Sequence, residues 1–304
     1  MIRKIGYACI NLSLDCRSSR TFRLVSYSEE RLAETIKGNL NCLQQILEFN
    51  LKKQIYFFRI TSDLIPFASH PVNQFPWQRV FKQQFKEIGR FISSKGMRVS
   101  LHPGQFTILN SPRKEVVKNA RRELIYHNQV LDLMGLNSSH KIQIHVGGVY
   151  GNKQSARLRF EKNFQCLPHS VKNRLVIEND DRSFSLADCL KTSSKLRIPI
   201  VLDSLHHSLL NEGEPLEKAF KNFVPTWSKK DGRPIVDYSE QAKNKRPGSH
   251  ASELTPRLFK GFIERTRRFN FDLMLELKAK EKNAFRALKI LAELSGKDRS
   301  KQSE

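Results

Sequence analysis

The sequence predicts an α/β chain folded as a single (β/α)8 TIM barrel with parallel strands, on three observations. Short β-branched and apolar runs alternate with helical patterns from end to end, as expected of a parallel sheet covered by helices. Eight such runs can be read, the number that closes a barrel. Acidic or imidazole side chains end six of them, at His102, His145, Glu178, Asp203 with His206, Asp237 and Glu276, and in a closed barrel those ends meet on one face.

The first strand is expected over residues 4–10 and is followed by a helix over 28–50, which sets Leu32, Ile36, Leu40, Leu43 and Leu47 on one face. Ser28, three residues before Arg31, is placed to cap it. A strand over 54–60 leads to a helical stripe over 77–94 carrying Val80, Phe81, Phe85, Ile88 and Phe91, with Gly96 where the helix should stop. Strands over 98–101, 141–145, 174–178 and 198–203 then alternate with helices over 112–135, 155–167 and 185–194. The seventh run, Pro234-Ile-Val-Asp237, is brief and sits within 227–246, rich in Lys, Asp, Gly and Pro, where a long functional loop is expected. A helix over 254–268, a strand over 272–277 and a helix over 281–294 complete the order. A doubly wound open sheet is the structural alternative, but no GxGxxG follows the first strand. One domain over 1–304 is expected, with its core at 4–294 and a polar, flexible tail at 295–304, because a barrel typically needs about 250 residues.

Lys and Arg total 53 against 30 Asp and Glu, a formal charge of +23 spread along the chain, which predicts a polyanionic partner over a small metabolite. Five cysteines, Cys9, Cys16, Cys42, Cys166 and Cys189, form no CxxC pair, which argues against disulfides and a zinc knuckle and for a reducing, cytoplasmic home. The apolar stretch after Arg3 and Lys4 is short and closed by Asp15, so neither an export signal nor a membrane span is expected.

The chemistry is expected at the strand ends. Glu276 lies inside Leu273-Met-Leu-Glu-Leu277, where an unpaired carboxylate should protonate or demand a cation, with Lys278 as a competing salt-bridge partner. Asp203 and His206, three residues apart, can turn toward one ion, and gathered acids and imidazoles of this kind suit multinuclear metal chemistry. Either Asp237 or His250, in the loop that follows, can complete the set. In Leu101-His-Pro-Gly-Gln-Phe-Thr107 a strand ends at His102 and a tight turn projects Gln105 and Phe106, a polar and an aromatic side chain suited to enter a nucleic acid stack. The competing role for Phe106 is packing under its own loop. His70, His127, His140 and His169 fall away from strand ends.

Gly6-Tyr7 with Asn11, His102-Pro-Gly-Gln-Phe106, Tyr126-His127, Ile144-His145, Ile177-Glu-Asn-Asp180, Asp203-Ser-Leu-His206, Ser249-His250 and Leu275-Glu276 together resemble the UV damage endonuclease family, similar in fold to endonuclease IV. The resemblance runs from about Lys4 to Glu276. It implies a cluster of two or three divalent ions, manganese first with magnesium, cobalt or zinc as alternatives. It also implies damaged double-stranded DNA as partner, no nucleotide cofactor, a monomer, and incision immediately 5′ of pyrimidine dimers or 6-4 photoproducts. The family ligands fall on His102, His145, Glu178, Asp203, His206, His250 and Glu276, with Glu178, Glu276 and His145 as the catalytic set. Gln105 and Phe106 match the pair that probes the helix opposite the lesion, and Tyr7 and Asn11 match residues lining the pocket for rotated nucleotides. The chain departs where some members read Lys-x-His: Ile235-Val-Asp237 keeps a ligand in Asp237 but loses the lysine, for which Lys229 or Lys230 is the substitute to consider. The rival readings are a divalent-metal sugar isomerase or epimerase, whose substrate has no use for +23, and a non-catalytic nucleic-acid-binding protein.

Overall fold

The computed structural model describes residues 1–300, and within them eight strands close a barrel. They are β1 (Ile2–Ala8), β2 (Phe57–Ile60), β3 (Arg98–Leu101), β4 (Lys141–His145), β5 (Leu175–Glu178), β6 (Ile200–Asp203), β7 (Ile235–Tyr238) and β8 (Phe271–Leu275). Each pairs in parallel with the next, and β8 returns to β1. The register places His145 beside Glu178 and Asp203 beside Asp237, so residues far apart in sequence become neighbours at one end.

Side chains two apart on a strand share a face, which divides the barrel interior into layers. At the N-terminal end Arg98 pairs with Asp272 at 2.8 Å and Lys141 with Asp231 at 2.6 Å, with the Trp227 ring beside both cations. Above them Ala8, Phe57, Val176, Val201, Ile235 and Met274 form an apolar plug. Next come Arg59, Gln143, Glu178, Asp203 and Asp237, all buried, at the C-terminal end. A larger apolar core lies between the strands and the surrounding helices.

The helix Glu29–Lys52 buries the five residues expected of it, and Ser28 accepts from the Arg31 amide at 3.2 Å. Helices Lys114–Leu133, Lys153–Gln165, Leu186–Leu196, Pro256–Thr266 and Lys280–Ser300 also answer expectations. The stripe over 77–94 is two helices, Trp77–Val80 and Lys82–Ser94, because Phe81 leaves helical geometry. The break turns Val80 outward to 52% exposure instead of inward. Short helices at His169–Arg174, Ser204–Leu209 and Leu216–Phe223 were not foreseen; each is shorter than the window of about 11 residues over which periodicity is legible. Of the tail expected at 295–304, residues 295–300 instead continue the last helix, six residues past its expected end, and residues 301–304 lie outside the described residues.

The reading against disulfides is corrected: Cys16 and Cys42 are bonded, while Cys9, Cys166 and Cys189 are free. The loop after β1 folds back over the helix Glu29–Lys52, where the Asn39 side chain bonds the backbone of Arg20 in both directions. That return brings two cysteines together with no sequence spacing to announce it. No described helix is long and apolar enough to cross a membrane.

Candidate metal centre at the barrel mouth

Strand ends supply the site. His145, Glu178 and Asp203 are the last residues of β4, β5 and β6, while His102 and Glu276 stand one residue beyond β3 and β8. They open into a cleft of about 490 Å³ whose lining includes His102, His145, Glu178, His206, His250 and Glu276. Glu178 is the hub. It is 1% exposed, and His102 Nε2 lies 3.0 Å and His145 Nε2 3.5 Å from its Oε2, with His206 Nδ1 3.3 Å from its Oε1. Asp203 caps the helix Ser204–Leu209 by accepting from the His206 amide at 2.8 Å, which swings His206 over the mouth. His250 arrives on the loop after β7, pinned by the bridge between Gln241 and His250.

Three histidines share one orienting device. The Nδ1 of His102, His206 and His250 faces a backbone carbonyl, of Pro103, Asn179 and Glu276 respectively, at 3.2, 3.0 and 2.8 Å. An Nδ1–H donated this way aims Nε2 away from the backbone, the orientation that metal-ligating histidines usually have, although here His102 Nε2 meets Glu178 Oε2. Ligand atoms of His102, His145 and Glu178 lie within 4.8 Å of one another, as do those of Asp203, His206 and His250, and those of Glu178, Asp203 and Asp237. Asp203 Oδ2 and His145 Nδ1 are buried without any hydrogen-bond partner. Unmet acceptors among these donors fit divalent cations held by nitrogen and oxygen.

The charges point the same way. Burial pushes the Glu178 carboxyl up, but His145, His102 and His206 outweigh it and hold it well below the usual range. Burial likewise opposes ionisation of Glu276, yet Arg59 brings it down to about 2. Asp203 and Asp237 are driven the other way, up, chiefly by burial and then by neighbouring carboxylates. His206 is pulled down by burial but carried up to about 11 by Asp203 and Glu178. Four carboxylates share this end of the barrel with Arg59 and a protonated His206, so some of them stay protonated until further positive charge arrives.

Arg59 and Gln143 are the residues that sequence reasoning missed. Arg59 Nη2 holds Asp237 through both carboxylate oxygens at 2.9 Å, its Nη1 bonds Glu276, and Gln143 Nε2 reaches Glu178 and Asp237 at 2.6 Å each. Their signal was available: each is the lone polar residue between apolar neighbours in a strand, Phe58-Arg-Ile60 and Ile142-Gln-Ile144, and a buried polar group requires a partner. Asp237 therefore sits beneath the mouth, fully buried and already bonded. Lys229 and Lys230 lie in the turn that precedes β7, at the opposite end of the barrel.

Gln105 lines the cleft, and Phe106 projects from the same turn at 66% exposure, not packed under its loop. Its ring lies over Gly104, where a Cβ would come within 2.5 Å of it. Tyr7 and Asn11 do not line the cleft: both are buried, with Asn11 Nδ2 donating to Tyr7 Oη at 2.8 Å and Tyr7 Oη to Asn50 Oδ1 at 2.7 Å. His207, His127 and His140 are buried elsewhere.

The family model described as UV-endonuclease UvdE matches residues 3–304. A Clostridium perfringens (strain 13 / Type A) protein named UV DNA damage endonuclease is 41% identical, over 96% of this chain and 71% of its own length. The crystal structure of SacUVDE superposes with a TM-score of 0.92 at 44% identity, covering 96% of this chain and 99% of that one. Endonuclease IV from Thermus thermophilus shares the fold, at a TM-score of 0.57 and 13% identity over 84% of this chain and 94% of that one.

Proposed function

Because this chain belongs to the UV-endonuclease UvdE family, we propose that it is a metal-dependent DNA repair endonuclease acting as one nuclease domain. It cuts the phosphodiester immediately 5′ of UV photoproducts, pyrimidine dimers and 6-4 photoproducts among them, in double-stranded DNA. The observation that carries this reading is the convergence of His102, His145, Glu178, Asp203, His206, His250 and Glu276 on one mouth, with Gln105 and Phe106 beside it.

His102, His145 and Glu178 would hold one cation, and Asp203, His206 and His250 another, with Glu276 placed to join them beside His250. Manganese suits this mixed nitrogen and oxygen set. Bound there, divalent cations supply Lewis acidity at the phosphoryl oxygens and lower the pKa of water toward about 7. Glu178, Glu276 and His145 are the side chains we assign to catalysis, since they converge where the scissile phosphate must lie. Hydrolysis adds a water oxygen to phosphorus and breaks the bond to O3′, which takes up a proton, so a 3′-hydroxyl and a 5′-phosphate remain. No nucleotide is consumed.

Selection of damage falls to other residues. The basic surface neutralises phosphates without reading sequence, while Gln105 and Phe106 enter a step that is already poorly stacked. Displacing damaged bases costs less than the few kcal/mol that a sound nucleotide requires.

Supercoiled plasmid, irradiated or untreated, tests the reading. Manganese should support nicking of the irradiated form, EDTA should stop it, and a duplex with one photoproduct should be cut at its 5′ side. Equal cutting of both plasmids, or a cut on the 3′ side, would overturn it.

A further inference from the structure

We propose that Tyr150 is a second aromatic that stacks on a nucleobase at the lesion, acting beside Phe106; this rests on the endonuclease reading above. Among the described residues Phe106 and Tyr150 are the only exposed Phe, Tyr or Trp side chains, at 66% and 45%. Every other such ring is buried or half-buried, so two uncovered rings at one mouth are not a general property of this surface.

The two are built alike on adjacent strands. After β3, His102-Pro-Gly-Gln-Phe106 carries a histidine of the centre, then a glycine, then the ring; after β4, His145-Val-Gly-Gly-Val-Tyr150 does the same. Each ring lies against the glycine of its own loop: a Cβ would meet Phe106 at 2.5 Å on Gly104 and Tyr150 at 3.4 Å on Gly148. Both glycines line the cleft. Each ring is thereby set at the edge of the mouth and left partly uncovered.

Backbone strain marks the second loop. Tyr150 has φ of 47°, between left-handed Gly147 at 109° and Gly151 at 79°, a conformation that a bulky residue adopts only when its surroundings impose it. They do so here. Asn110 Nδ2 donates to the Gly148 carbonyl at 2.8 Å, Arg159 Nε donates to the Asn110 carbonyl at 2.8 Å, and the Arg159 guanidinium lies 5.5 Å over the Tyr150 ring. A tyrosine serving the core would bury its ring and hydrogen-bond its hydroxyl. This one is held rigidly and left open, which suits a flat apolar ligand, and nucleobases stack on such platforms whatever their sequence.

The experiment uses the full chain with manganese and a duplex bearing one photoproduct beside 2-aminopurine. Tyr150→Gly removes the ring at a left-handed position that glycine accepts without strain, so folding is secure, and Tyr150→Phe keeps the stacking face. Tyr150→Gly should lose roughly tenfold in affinity for the damaged duplex, lose the aminopurine quenching, and keep the wild-type melting temperature and affinity for undamaged DNA. Tyr150→Phe should keep all four. Wild-type affinity and quenching in Tyr150→Gly, or equal losses in both variants, overturn the assignment. A wild-type protein that neither nicks nor prefers the damaged duplex instead overturns the endonuclease reading, and this assignment falls with it.

Discussion

Arg59→Met isolates the electrostatic arrangement under the mouth. The substitution keeps a long apolar stem but removes the guanidinium that bonds Asp237 and Glu276, leaving the buried Asp237 without its cation. Breaking a buried ion pair by deleting one partner costs about 3–5 kcal/mol. With an unfolding entropy of about 2.1 cal/mol/K per residue over 304 residues, that is a fall of about 5–8 °C in melting temperature. The assay is thermal unfolding by circular dichroism in EDTA. Asp237→Asn in the same chain removes the carboxyl that has lost its partner while its amide oxygen can still accept from Gln143, so the double variant should recover part of the loss. Manganese in excess should recover part of it too, since a divalent cation replaces the missing charge. A fall below about 1 °C, or a double variant less stable than the single one, would refute the reasoning.

His140, at the far end of the barrel, accepts from the Val99 amide through Nδ1, and burial, aided by Arg98, lowers it to about 3. Its folded value lies below the unfolded one, so the stability from neutral His140 is complete above about pH 6.5 and fades as the pH falls toward 3. In urea titrations, the margin of wild type over His140→Asn should shrink by about 1.4 kcal/mol per pH unit through that window, and a constant margin would speak against it. Gly6→Ala should cost about 3 kcal/mol or more, because the new Cβ would sit 2.3 Å from the Phe57 carbonyl oxygen; chemical denaturation with an unchanged midpoint counts against that packing. Glu276→Gln should abolish nicking of irradiated plasmid while the fold persists, whereas Gln105→Ala should cut irradiated DNA but with a reduced preference over untreated DNA. Competition between the two plasmids separates these outcomes.

The barrel was legible because its signal is repeated: the register needs only short apolar runs, and the strands at 98–101 and 141–145 were placed to the residue. The gathering of the acid and imidazole side chains at one mouth was legible for a related reason, since the ends of parallel strands in a closed barrel meet on one face. What escaped was either a faint signal, a single polar residue between apolar neighbours, or information that only three dimensions hold. Arg59 reads as one more cation in a chain with 53 of them, and its burial follows only once Phe57 and Arg59 both face inward. Tyr7 matched a family motif, but the partner that fixes its hydroxyl, Asn50, lies 43 residues away. Cys16 and Cys42 meet because a loop returns across a helix, and no spacing rule foretells that.

The two ends of the barrel make the strongest argument that the mouth is built for cations. Both bury charge inside the ring of strands, where an uncompensated ion costs several kcal/mol. At the closed end the charges balance: Arg98 answers Asp272 and Lys141 answers Asp231. At the mouth Arg59 pairs with Asp237 and Glu276, His206 is shared by Glu178 and Asp203, and Asp203 Oδ2 has no hydrogen-bond partner, so four carboxylates meet two cationic side chains. A fold that pairs its charges at one end has no structural need to leave them unpaired at the other, least of all on a chain with cations to spare. The deficit sits in the cleft where the imidazoles of His102, His145, His206 and His250 also converge. Anionic DNA would be repelled by that layer as it stands, so cations bound there to balance the carboxylates would also let a phosphate approach them.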